Sequence, residues 1–129
     1  RSQRLLGSRN VNVGREVDMA STPEGKVKKV VTTQLKQLGA YYFSPMTGGY
    51  GKSGVPDIIA CYNGYFFGIE CKAGNNKPTA LQDKNLDDIE HTGGFSFVIN
   101  EDTMDKLADI MWNAVITRSL RAPQKYRNS

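Results

Sequence analysis

Histidine, cysteine and tryptophan are all scarce in this chain, and long apolar runs are missing. Of 129 residues one is histidine, two are cysteines and one is tryptophan. His91 stands just before Gly93-Gly94, where the periodicity marks a helix end, and that place suits a terminal cap or dipole contact rather than catalysis. Cys61 and Cys71 fall on opposite faces of the hairpin derived below, which argues against a disulfide and predicts two buried thiols without redox or metal roles. No apolar stretch approaches the roughly 18 residues that cross a bilayer. The start, Arg1-Ser2-Gln3-Arg4 followed by Leu5-Leu6, carries no secretory apolar segment. A cytoplasmic location without a membrane partner is the expectation.

Acidic residues are also outnumbered, and the net charge is +4, but its placement matters. Residues 117–129 hold +4 through Arg118, Arg121, Lys125 and Arg127, and residues 1–18 hold +2, which leaves −2 for the body. Basic tails, and a local group of Lys26, Lys28, Lys29 and Lys36, suit salt-sensitive phosphate contacts; a solvated helix face reads the same way.

With 39% hydrophobic and 23% charged residues the composition is that of an ordinary globular domain. Residues 1–21, rich in Arg, Asn, Gly and Ser, read as an extension or linker, with Met19 as a candidate natural start. Residues 22–116 form the expected domain and residues 117–129 a basic tail. Thr22-Pro23 is a good N-cap and first helical residue; Val27, Val30, Val31, Leu35 and Leu38 repeat at helical spacing and Gly39 closes the helix. Ala40–Ser44 reads as a strand. Thr47–Gly54 is a glycine-rich loop, either a lip over a substrate strand or a plain connection. Its Gly51-Lys52-Ser53 is not a nucleotide loop: the leading glycine falls at Met46 and no helix follows, so no nucleotide cofactor is expected.

Tyr62-Asn63-Gly64-Tyr65 is the strongest local signal, a two-residue type I′ hairpin. Counting outward pairs Cys61 with Phe66, Ala60 with Phe67, Ile59 with Gly68, Ile58 with Ile69, and Asp57 with Glu70. Two carboxylates thus face each other in a non-hydrogen-bonded pair, Cα atoms roughly 4.5 Å apart. That is destabilising unless something positive lies between them. Lys72 emerges on the same face. A divalent metal site with a lysine beside it explains the cluster. Apolar residues on both faces of these strands predict central strands covered on two sides.

Beyond the hairpin, Thr79-Ala80-Leu81-Gln82 matches a capping box, while Gln82, Leu86 and Ile89 at i, i+4, i+7 also let Gln82 approach the acids. Glu24 has two readings as well, one at the helix N-terminus and one reaching the metal cluster. Phe95–Ile99 is a strand, and Asn100 or Asp102 caps a last helix bearing Met104, Leu107, Ala108, Met111 and Val115. The predicted class is α/β, ordered αβββαβ with an extra C-terminal helix and a mixed sheet.

Pro56-Asp57 followed by Glu70-Cys71-Lys72 resembles the PD-(D/E)XK nuclease superfamily. Adding Glu24, Ser53-Gly54-Val55-Pro56-Asp57, Ile69-Glu70-Cys71-Lys72-Ala73, Thr79-Ala80-Leu81-Gln82 and Gly93-Gly94, the chain is similar to the VRR-NUC branch over about residues 22–112. Cys71 fills a position where aliphatic residues are more usual. The resemblance implies an endonuclease on DNA, with small stand-alone members acting on branched DNA as homodimers. It further implies Mg²⁺, with Mn²⁺ as substitute, held by Asp57, Glu70 and the Cys71 backbone carbonyl. Lys72 then orients or deprotonates a water, Glu24 holds a second metal or a metal water, and Gln82 positions substrate or water. Lys26, Lys28, Lys29, Lys52, Ser53 and Lys77 are the expected nucleic-acid contacts. A sequence-specific restriction or homing enzyme, and a binding module without catalysis, stay open as alternatives.

Overall fold

The computed structural model describes residues 22–46 and 51–121. Residues 1–21, 47–50 and 122–129 lie outside them, and with them the expected extension, the first half of the glycine-rich loop and the end of the basic tail.

Helix α1 spans Pro23–Leu38. Thr22 caps it by accepting from Gly25 N at 3.0 Å, and Gly39 ends it in the left-handed region at φ 75°. Strands β1 (Tyr41–Phe43), β2 (Ile58–Tyr62) and β3 (Tyr65–Cys71) form an antiparallel run. Helix α2 (Ala80–His91) then crosses over to β4 (Phe95–Ile99), which pairs with β3 in parallel. The sheet order is β1-β2-β3-β4, the mixed sheet expected. The β2–β3 register is the one counted from the turn, and Asn63 and Gly64 both have positive φ, 54° and 85°, as type I′ requires.

One face of the sheet is the core. Ile58, Ala60, Phe67, Ile69, Cys71, Phe95 and Ile99 pack against Val27, Val31 and Leu35 of α1 and against Leu107, Met111 and Val115 of α3, which spans Leu107–Arg121. On the other face α2 lies close over β3. A side chain at Gly68 would come within 2.5 Å of Ile89 Cδ1 and 2.9 Å of Pro56 Cγ, so only glycine fits that approach.

Four expectations need correction. The second face is not covered throughout: α2 sits over the β3–β4 half, and Cys61, Phe66, Tyr41 and Phe43 are exposed, Tyr41 at 72%. Cys61 is therefore a surface thiol, while Cys71 is buried. Neither Asn100 nor Asp102 caps the last helix. Asn100 Oδ1 instead accepts from Asp102 N, and a 3-10 turn over Met104–Lys106 leads into α3. That helix also runs to Arg121, beyond residue 116, because Arg118 belongs to the folded body. Its guanidinium lies 4.0 Å over the Phe95 ring and donates to Gly93 O at 2.8 Å.

Candidate metal centre

The ladder between β2 and β3 stops at Ile58 and Ile69, and the next pair is joined through side chains. Asp57 N donates to Glu70 Oε1 at 3.2 Å, and Cys71 N donates to Asp57 Oδ2 at 2.8 Å. Each carboxylate thus commits one oxygen to the opposite strand's backbone, which fixes both groups at the mouth of the hairpin. The other Glu70 oxygen, Oε2, is buried without a hydrogen-bond partner. Lys72 Nζ stands 3.3 Å from it, an ion-pair distance without hydrogen-bond geometry.

Glu70 is 1% exposed. Burial, and after it the Asp57 carboxylate, push its pKa up; Lys72 and the Asp57 N–H oppose them less strongly. The opposed acids are partly balanced by Lys72, which is ion-paired with Glu70 Oε2 at 3.3 Å. Two hard carboxylates suit Mg²⁺, which keeps several waters and needs few protein ligands. Among the described residues no three His, Cys, Asp or Glu side chains gather as a ready ligand set. Asp57 and Glu70 are the side chains here that would take part in holding such an ion.

The Cys71 side chain is buried on the core face of the sheet. Burial first, then Asp57 and Glu70, raise its thiol to about 12, so it stays protonated at neutral pH.

A cleft of about 320 Å³ opens beside the pair, lined by Thr22, Glu24, Gly25, Lys28, Asp57 and Cys71. The N-terminus of α1 therefore brings Glu24 to the cleft that holds Asp57. Gln82 is not brought there: its Oε1 accepts from Thr79 N at 2.9 Å, and Thr79 Oγ1 accepts from Gln82 N at 3.2 Å, the capping box. Lys26, Lys29, Lys52, Ser53 and Lys77 are exposed, and Lys28 is half-buried. His91 Nδ1 donates to Asp87 O at 2.8 Å in the last turn of α2, the terminal contact expected.

Sequence reasoning missed Asn85. It is buried, and its Nδ2 donates to Leu81 O at 2.9 Å and to Ser53 O at 3.2 Å, which ties α2 to the segment entering Asp57. Next to that anchor Gly54 has φ +76° and lies against Leu81. The signal was a polar residue on the line Leu81, Asn85, Ile89 at i, i+4, i+8.

A mixed sheet with helices on both faces and an acid pair plus lysine where β2 meets β3 defines a nuclease fold of the kind the motif implied. That fold is that of a VRR-NUC nuclease domain. A solved structure described as a VRR_NUC domain aligns with a TM-score of 0.59 and 25% identity, over 72% of this chain and 97% of that one. No protein-family model and no curated protein matches the chain. Among the described residues no helix is long and apolar enough to cross a membrane.

Proposed function

We propose that this nuclease domain is a Mg²⁺-dependent endonuclease that hydrolyses DNA phosphodiesters, selects branched DNA, and acts as a homodimer; Mn²⁺ substitutes for Mg²⁺. The observation that carries this reading is the locked Asp57–Glu70 pair with Glu70 Oε2 buried and lacking a hydrogen-bond partner. Asp57, Glu70 and the Cys71 carbonyl hold the ion. When bound, it supplies Lewis acidity toward the phosphate and lowers the pKa of water. Lys72 orients the attacking water and neutralises Glu70. Glu24 holds a water across the cleft. Paired cuts on a junction need two symmetric sites, and Trp112 on α3, 49% exposed, offers apolar surface for pairing.

The test incubates the protein and Glu70→Ala with labelled four-way junction, flap and linear duplex in Mg²⁺, Mn²⁺ or EDTA. Paired nicks confined to the junction, lost in EDTA and in the variant, are expected. Equal cutting of every substrate overturns structure selectivity, and undiminished cutting by Glu70→Ala overturns the site.

A further inference from the structure

We propose that Lys28 is the cation that grips the phosphate being cut, an inference that rests on the nuclease reading above. Among the described residues Lys28 is the one cation lining the cleft at Asp57. Lys72, usually the residue to suspect, is not in that lining; its side chain is 13% exposed and engaged by Glu70 Oε2 at 3.3 Å. On the same helix Lys26 and Lys29 are exposed, whereas Lys28 is half-buried and one turn beyond Glu24, so that both reach the cleft from one face.

The chemistry requires such a group. An anionic phosphodiester must enter a cleft bordered by carboxylates. During hydrolysis the water oxygen bonds to phosphorus, its proton passes to base or solvent, the ester P–O bond breaks, and the leaving alkoxide is protonated. Through those steps the non-bridging oxygens gain charge, and a fixed donor facing them acts most strongly at that point. With Lys72 paired to Glu70, Lys28 is the side chain placed to meet a non-bridging oxygen from the α1 wall.

The test compares Lys28→Gln, Lys28→Arg and Lys29→Gln with the unmodified chain. Single-turnover cleavage is read at saturating DNA in Mg²⁺, DNA binding by anisotropy in Ca²⁺, and Mn²⁺ binding by calorimetry. Expected for Lys28→Gln is a cleavage rate lower by about 10- to 100-fold, DNA affinity changed by no more than about threefold, retained Mn²⁺ binding, and recovery of most of the rate in Lys28→Arg. Lys29→Gln, at an exposed expected nucleic-acid contact, should weaken DNA binding and lose less of the saturated rate than Lys28→Gln. Should the glutamine variant fold poorly, Lys28→Met keeps the apolar stem and carries the same expectation. Equal losses in Lys28→Gln and Lys29→Gln through affinity alone, or loss of Mn²⁺ binding in Lys28→Gln, overturn the assignment while the nuclease reading stands. An unmodified chain that cuts no substrate overturns both.

Discussion

The two ends of the β2–β3 hairpin are built on opposite principles. At the turn, Asn63 and Gly64 adopt the positive φ angles their residue types favour, and Tyr62 faces Tyr65 in regular ladder pairing. At the mouth, two acids face each other, one of them buried, and the ladder gives way to side chains bonded to backbone. The turn end satisfies itself locally. The mouth end is held from a distance, by Asn85 bonded to Ser53 O, by Pro56 and Ile89 packed over Gly68, and by Lys72 beside Glu70. Register chosen at the favourable end thus imposes an unfavourable pair at the other, and packing keeps that pair in place.

The sharpest way to break this contrast is Glu70→Gln. Cleavage should fall by at least about 10³-fold, roughly 4 kcal/mol of barrier, while the metal-free protein gains about 1 kcal/mol of stability, because a buried like-charge pair is relieved. Single-turnover rates and denaturant unfolding in EDTA check both halves; a variant less stable than its parent would show the acids are not in conflict.

Gly68→Val comes next. It drives a side chain into Pro56 and Ile89, and overpacking of this kind costs about 1–3 kcal/mol. Activity should drop with stability, since Pro56 precedes Asp57. Gly64→Ala at the turn forces a non-glycine residue to φ 85° and should cost about 1–2 kcal/mol, with cleavage at saturating metal unchanged once folded. If Gly64→Ala inactivates the folded protein as fully as Gly68→Val, the two ends are not separable.

The pH response distinguishes the ends as well. Glu70 has a raised pKa in the folded state, so the folded protein binds its proton more tightly than the unfolded chain does. Its contribution is most favourable below the unfolded carboxylate value and declines as pH rises through the raised folded one. Metal-free stability should therefore lose this contribution as pH climbs above about 4.5, and Glu70→Gln should flatten that part of the curve. Added Mn²⁺ should restore stability at the higher pH.

The smallest effect concerns the thiols. An aromatic disulfide reagent should label Cys61 in the native protein and reach Cys71 only on unfolding, since Cys61 is exposed and the Cys71 thiol is buried and raised to about 12.

Much of this was legible because it is local. Thr22, Gly39, Thr79 with Gln82, and Asn63-Gly64 act within a few residues of themselves, so helix starts and the hairpin register followed from spacing. From the register alone Asp57 met Glu70. Cys61 was misjudged because alternation assigns a face but does not tell how far a helix on that face extends. Gln82 fitted two roles in sequence, and its carbonyl settled in the nearer one, the capping box, because that partner is fixed three residues away.

Sequence by itself determined the elements, their order and the opposition of two carboxylates, since each follows from short-range backbone preference and a period of two along a strand. Tertiary structure decided which oxygen of Glu70 lacks a hydrogen bond and meets Lys72, that Asn85 anchors the entry to Asp57, that Arg118 extends the folded body, and that Lys28 rather than Lys26 or Lys29 lines the cleft. Those outcomes depend on burial and on contacts between distant segments, which no local preference encodes.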